Sequence, residues 1–322
     1  MKNDPLIGIL LATYNGGKYL KAQIDSILQQ TYTNWVLLIH DDGSNDGTVS
    51  IIHEYNKKYA DKITYIDDKK QFKNAKMNFD HLFQYAKKYY NFDYIMFADQ
   101  DDVWLSTKIE KTLKKMKNFD KNNKNIPICL YTDLIVVDKN LNIIEKSFWK
   151  YQKINPMHNS LNRIIVQNVV TGCTIMLNQK AIEIINNIPK QAIVHDWWIA
   201  LVISAFGKLI PLHETTLLYR QHGLNDVGAK RWDFYNAIMR IFSKDELLQF
   251  KKNFINSTIQ AKAFLNEYGH FMNRKQISLV EHYVNLINYN MAYRLYYVFK
   301  FRYFKSNLFR NLGSIIFRLL AV

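Results

Sequence analysis

With 322 residues and 48% apolar content, the chain can bury a sizeable core in one large domain with a smaller C-terminal addition. An aromatic share of 14% excludes global disorder, and two cysteines, Cys129 and Cys173, exclude a disulfide framework or a cysteine metal cluster and fit a reducing compartment. The net charge of +15 is compatible with an anionic substrate, nucleic acid or anionic lipid.

The first apolar run, Leu6 to Tyr14, ends in TYNGG with no small-residue cleavage site, so no signal peptide is expected. No run of roughly 18 apolar residues is present to span a bilayer. A cytoplasmic protein that can touch a membrane surface is the expectation.

Leu6–Thr13 (LIGILLAT) predicts a buried parallel strand. Lys18–Gln30 predicts an amphipathic helix with Leu20, Ile24, Ile27 and Leu28 on one face. Trp35–His40 is a second strand, followed by the turn DDGSNDGT and a helix start at Thr48. Ile63–Ile66 is a third strand, and Met77–Tyr90 a helix with Phe79, Leu82, Phe83 and Ala86 in phase. Tyr94–Ala98 is a fourth strand running into DQDD, and Ile128–Val137 a fifth. Beyond it come a strand at Thr174–Leu177, a helix through His195–Phe206, a strand near Leu209–Arg220, and a helical pattern from about residue 230.

This alternation predicts an α/β fold: a mostly parallel sheet with helices on both faces and a C-terminal helical extension. Ligands bind such sheets at the carboxyl ends of the strands. TYNGG, DDGSNDG and DQDD all fall there, after the first, second and fourth strands.

Asp99-Gln100-Asp101-Asp102 crowds carboxylates at the end of an apolar strand, which needs a cation or solvent to compensate. Mg²⁺ or Mn²⁺ commonly bridges such carboxylates to substrate phosphates. In Asp41-Asp42-Gly43-Ser44 an Asp can accept from the imide N–H of uracil or thymine, while the same segment also caps the helix that follows. Thr13-Tyr14-Asn15-Gly16-Gly17 has the spacing of neither a dinucleotide fingerprint nor a P-loop, and Tyr14 can pack on a base. His195-Asp196-Trp197-Trp198 opens a helix: the Asp is either a cap or a base, and the tryptophans either core or a sugar-binding face. In Tyr219-Arg220-Gln221-His222-Gly223, Arg220 suits a phosphate and His222 a metal.

Together these segments resemble the family 2 glycosyltransferases of the GT-A fold. The resemblance covers residues ~5 to 225 and rests on TYNGGKYL, QTYTNWVLLIHDDGSNDGT, ADQDDVW, HDWW and YRQHGLN. ADQDDVW with HDWW and YRQHG is similar to the bacterial rhamnosyltransferase-like branch that builds surface polysaccharides. It implies a GT-A domain over residues 1–228, with 229–322 as a helical C-terminal region.

The resemblance also implies roles. Asp42 reads the pyrimidine base, helped by Thr13, Tyr14 and the adjoining Asn15. Asp99 and Asp101 form a DxD motif holding Mg²⁺ or Mn²⁺, with His222 as a further metal ligand and Arg220 on the diphosphate. Lys76 is a nucleotide contact, loosely matched because the sequence reads NAKMNF there. Asp196 is the general base, with Gly172 (in VVTGCTIML) and Trp197 on the acceptor side. The QxxRW signature of processive synthases is absent, since Arg231-Trp232 lacks the Gln.

The expected reaction is inverting transfer from a UDP- or dTDP-sugar to an acceptor hydroxyl, on a lipid-linked oligosaccharide or a glycoprotein glycan. Nucleic acid is not an expected partner. The alternatives are a sugar-phosphate nucleotidyltransferase and a non-enzymatic basic protein that binds nucleic acid or membrane. The C-terminal stretch Met291–Val322 carries six Lys or Arg and no Asp or Glu, with Leu308, Leu312, Ile315, Ile316 and Leu319 at helical spacing. That pattern suits the anionic inner face of a membrane, or else packing on the catalytic domain or on another copy of the chain.

Overall fold

The computed structural model describes residues 4–121, 123, 125–223 and 244–306. Leu308–Leu319 and Arg231-Trp232 lie outside the described residues. The described residues form two compact units. One is drawn from Met1–Phe148, Val170–Ile188 and Phe206–Ala229, the other from Trp149–Val169, Pro189–Ala205 and Lys230–Val322.

The first unit carries the sheet. Its strands are β1 (Ile7–Thr13), β2 (Trp35–Asp41), β3 (Ile63–Tyr65), β4 (Tyr94–Asp99), β5 (Val103–Trp104), β6 (Ile128–Asp138), β7 (Ile143–Glu145), β8 (Met176–Asn178) and β9 (Lys208–Gln221). They lie in the order β3-β2-β1-β4-β8-β6-β9-β5, with β7 on β6. β1, β2, β3 and β4 are parallel, as are β6 and β9. β8 runs antiparallel between β4 and β6.

β1 is IGILLAT, and Ile7, Ile9, Leu10 and Leu11 are fully buried. A strand covered on both faces has no use for alternation, so its sequence is a continuous apolar run. Helices α1 (Leu20–Leu28), α2 (Thr48–Lys58), α3 (Ala75–Tyr89) and α4 (Lys108–Asp120) follow β1, β2, β3 and β5. Gly47, at φ +90°, is the N-cap of α2, a left-handed position that L side chains rarely adopt. α3 is capped by Asn74, whose side chain accepts from Met77 N at 3.3 Å.

The register fixes the rim. Thr13 pairs with Asp41, and Ala12 with Asp99, so β1, β2 and β4 end at one level. β5 pairs with β9, Val103 opposite Leu218, which carries residues 220–222 toward the segment after Asp99.

The second unit is helical: α8 (His195–Phe206) opens within it, and α9 (Lys244–Tyr268), α10 (Arg274–Asn285) and α11 (Met291–Lys300) make up most of the rest. Short helices α5 (Phe148–Tyr151), α6 (Leu161–Ile164) and α7 (Gln179–Ile184) fill the connections. Trp198 is fully buried, with its ring 6.0 Å from Phe264 and 6.2 Å from Tyr268. Gln260 accepts from Ile193 N at 2.8 Å, and Gln276 donates to Ala205 O at 2.6 Å, so side-chain amides tie α8 and the residues before it to their neighbours. Among the described residues no helix is long and apolar enough to cross a membrane.

Candidate active site

The three rim clusters hydrogen-bond to one another. Tyr14 N donates to Gln100 Oε1 at 2.8 Å, and Gln100 Nε2 donates to Tyr14 O at 2.9 Å. Asn15 N donates to Ser44 Oγ at 2.7 Å, while Asn15 Oδ1 accepts from Asn45 N at 2.9 Å. Gly16 N donates to Thr48 Oγ1 at 2.9 Å and Gly17 N to Asp46 Oδ2 at 3.0 Å. The amides of Tyr14, Asn15, Gly16 and Gly17 are thus all taken by side chains. A triphosphate-cradling loop needs such amides free, so the nucleotidyltransferase reading loses its support.

Asp41 and Asp42 are adjacent and do different things. Asp41 builds the turn: Oδ2 accepts from Gly43 N at 3.1 Å and Ser44 N at 2.7 Å, and Oδ1 accepts from Thr13 Oγ1 at 2.8 Å. Gly43 sits at φ +88°, which the turn requires. Asp42, also buried, accepts from the backbone N–H of Phe72 and, at 2.9 Å, of Asn74. It therefore ties the segment between β3 and α3 over the rim. Each carboxylate oxygen retains capacity for a further donor. Tyr14 leaves its ring 53% exposed beside this turn. Burial lowers the Lys76 ammonium below its usual range.

Asp101 joins residues from the end of β9. Its Oδ2 lies 2.7 Å from His222 Nε2, and its carbonyl accepts from Arg220 Nε at 2.8 Å. Arg220 also donates to Lys139 O at 2.8 Å. Tyr19 stacks on His222 with ring centroids 5.0 Å apart, and the Arg220 guanidinium lies 4.5 Å from the same Tyr19 ring.

Asp99 converges instead with Asp102 and Cys173, their ligand atoms all within 4.8 Å of one another. Burial, reinforced by the charges of Asp101 and Asp99, raises the fully buried Asp102 carboxyl well above the usual range. Burial raises the Cys173 thiol as well. Asp99 and Asp101 are the half-buried carboxylates of this rim. Buried Lys108 lies behind them. Burial pushes its ammonium down to about 8; it donates to Thr216 Oγ1 at 3.2 Å and lies 4.7 Å from the Trp104 ring.

Of the expected metal ligands, Asp101 and His222 are brought within 2.7 Å of each other, whereas Asp99 shares its group with Asp102 and Cys173, whose donor atoms are close enough to share a cation. Gly172 is buried at the start of the turn Gly172–Thr174, next to Cys173. The strand expected at Thr174–Leu177 runs from Met176 to Asn178, because Thr174 belongs to that turn and Ile175 caps it before pairing begins.

Asp196 and Trp197 belong to the other unit. Asp196 lies in the first turn of α8, and its Oδ1 accepts from Asn168 Nδ2 at 3.0 Å. Trp197 Nε1 donates to Ile164 O at 2.6 Å. Burial pushes His195 down to about 3, so this imidazole is neutral at physiological pH. Gln100, Tyr19, Asp102, Cys173 and Lys108 were not singled out as site residues by sequence reasoning. Only Gln100 and Asp102 had a signal, their place inside DQDD.

Residues 9–183 match the model of the family described as Glycosyl transferase family 2. Among curated relatives, the chain is 28% identical over 230 residues to a dTDP-rhamnosyl transferase, RfbG, of Shigella flexneri, covering 68% of this chain and 74% of the relative. It is 31% identical over 180 residues to the UDP-Glc:alpha-D-GlcNAc-diphosphoundecaprenol beta-1,3-glucosyltransferase WfgD of Escherichia coli, covering 55% of this chain and 62% of the relative. Among solved structures, S. aureus TarS 1-349 in complex with UDP-GlcNAc superposes with a TM-score of 0.52 at 15% identity, over 98% of this chain and 90% of that one. The mannosyltransferase PcManGT from Pyrobaculum calidifontis, in complex with GDP-Man and Mn²⁺, gives a TM-score of 0.52 at 12% identity, over 99% and 86%. Both show a shared GT-A fold. With the family model spanning β1 through the Asp99 cluster to α7, on this sheet and with these relatives, the chain belongs to glycosyl transferase family 2 and is a glycosyltransferase.

Proposed function

We propose that this glycosyltransferase moves a sugar, with inversion, from a UDP- or dTDP-sugar to a hydroxyl of a lipid-linked oligosaccharide or a glycoprotein glycan. The observation that carries this reading is the cross-bonded rim of the first unit, where Asp42, Asp101, His222 and the exposed Tyr14 ring sit on loops that hold one another. The relatives' names, one a dTDP-rhamnosyl and one a UDP-glucosyl transferase, favour a pyrimidine donor.

In this reading Asp42 accepts from the base imide, Thr13 and Asn15 shape the turn around it, and Tyr14 packs on the ring. Lys76 and Arg220 face phosphate; a depressed ammonium such as that of Lys76 gains from an anion. Asp99, Asp101 and His222 hold Mg²⁺ or Mn²⁺, which when bound neutralises charge on the leaving diphosphate.

Asp196 takes the proton of the acceptor hydroxyl. The hydroxyl oxygen forms its bond to the anomeric carbon as the bond to the diphosphate oxygen breaks, and the electron pair leaves with the nucleoside diphosphate. Attack from the opposite face inverts the configuration. Gly172 and Trp197 line the acceptor side. Residues 1–228 form the catalytic domain and 229–322 the helical region. The protein works at the cytoplasmic face of the membrane, where α11 exposes Met291, Tyr293, Tyr296 and Phe299.

The experiment is a panel of nucleotide sugars read by nucleoside diphosphate release. Release from a UDP- or dTDP-sugar with a lipid-linked acceptor is expected. Release from purine donors alone overturns the base assignment.

A further inference from the structure

A second cluster lies beside Asp42. His40 is the last residue but one of β2, His81 lies on α3, and Asp68 comes from the segment between them; their ligand atoms lie within 4.8 Å of one another. His40 Nε2 is 3.2 Å from Asp68 Oδ1, and His81 Nε2 is 2.7 Å from Asp68 Oδ2. The His81 nitrogen is buried, and its direction misses hydrogen-bond geometry. The His40 and His81 rings stand edge to face, 4.7 Å apart.

The surroundings fix the tautomer of His40. Asn78 Nδ2 donates to two carbonyls, Thr13 O at 3.4 Å and His40 O at 3.3 Å. Its Oδ1 must therefore be the atom 2.7 Å from His40 Nδ1, and that ring nitrogen must donate. His40 Nε2, 3.2 Å from Asp68 Oδ1, then needs either a proton of its own or a cation between it and that carboxylate. A carboxylate thus faces two imidazole nitrogens, one of them outside hydrogen-bond geometry. The exposed Lys70 ammonium reaches only the outer side of Asp68, at 3.4 Å.

A cation between the three groups resolves this. Ligand atoms about 2.0–2.1 Å from a tetrahedral zinc-type ion lie about 3.3 Å apart; the His40–Asp68 separation is 3.2 Å, and the His81–Asp68 separation of 2.7 Å opens by about half an ångström to admit the ion. Two imidazoles and a carboxylate select borderline divalent ions of the zinc class over Mg²⁺. The Asn78 bond to His40 is the outer support that ligating histidines carry. The Phe72 ring, 5.9 Å from His40 and 5.3 Å from His81, forms an apolar wall. Asp68 is the half-exposed ligand and leaves a path for entry.

We propose that His40, Asp68 and His81 form a binding site for a zinc-class divalent cation, distinct from the Asp101–His222 pair. The ion straps the segment carrying Asp68 and Phe72 onto β2 and α3. The assignment does not depend on the donor or acceptor of the transfer reaction.

The test uses the full chain carrying Asp101→Asn, which removes the rim carboxylate paired with His222, titrated calorimetrically with Zn²⁺ alone and followed by Tm. One equivalent of Zn²⁺ should bind and raise Tm, and Mg²⁺ should not replace it. Adding Asp68→Asn or His81→Gln should weaken binding at least about tenfold and remove the Tm gain. Asp68 is a surface-reaching ligand, so its variant serves if His81→Gln fails to fold. No zinc uptake by the Asp101→Asn chain, or uptake that the Asp68 variant leaves unchanged, overturns the proposal.

Discussion

His222 Nε2 lies 2.7 Å from Asp101 Oδ2 although 121 residues separate the two in the chain. β5 and β9 bring them together, and Tyr19 stacks behind the imidazole. Asp101→Ala is expected to abolish transfer and to remove metal-dependent donor binding, with a loss of about 100-fold or more in kcat. Turnover measured with and without EDTA checks it; full activity of the variant in EDTA rules out the metal role.

Asp196→Asn should lower kcat by at least about 100-fold while leaving donor affinity nearly intact, because the amide keeps the shape and cannot take a proton. Asn168 orients the carboxylate through its 3.0 Å bond and can orient an amide equally. Calorimetry with the donor alone, beside steady-state rates, separates the two effects. Lost donor binding would make Asp196 a donor ligand or a cap.

His195 gives a pH dependence of stability. Its folded pKa, about 3, lies below the ordinary 6.5 because of burial. The unfolded chain therefore binds the extra proton between about pH 3 and 6.5, so stability is full above that window and falls with acidification through it. The slope approaches about 1.4 kcal/mol per pH unit from this group. Urea midpoints between about pH 4 and 7 should show it, and His195→Gln should flatten it. Parallel slopes for both proteins would remove His195 as the source.

The exposed face of α11 is the fourth test. Tyr293, Tyr296 and Phe299 are each more than half exposed, and Lys300 lies 5.2 Å from the Tyr296 ring. Exposed aromatics next to a cation suit a lipid interface. Sedimentation with anionic vesicles at low salt should carry down the native chain and leave a Tyr293→Ser, Tyr296→Ser, Phe299→Ser variant in the supernatant. A variant that still sediments defeats the membrane reading of this face, and a change in particle size instead marks it as a contact between copies.

Strands buried on both faces were legible. β1, β2 and β4 lie within one residue of their expected bounds, because a continuous apolar run ends where the polar rim begins. Helix α8 matches its expected span. α4 escaped notice: its apolar residues Ile109, Leu113 and Met116 are outnumbered by lysines, and its N-cap Thr107 makes no side-chain cap. The antiparallel insertion of β8 between β4 and β6 is a choice among sheet orders that three residues cannot encode locally. At the site, the clustering of polar segments at strand ends was legible. That Asp41 builds the turn while Asp42 ties down a distant segment was not, because the two residues are identical in type and differ only in direction.

Gln100 has a consequence beyond its own two bonds. Its amide both donates to and accepts from the Tyr14 backbone, which a carboxylate of the same length cannot do. The loop after β1 and the loop after β4 therefore behave as a single mechanical piece, further pinned to the loop after β2 by Asn15. Substitutions in one loop will not act independently of those in another, and their combined cost will depart from the sum. A ligand arriving here meets loops whose order was settled when the chain folded, so its affinity is not diluted by the entropy of arranging them.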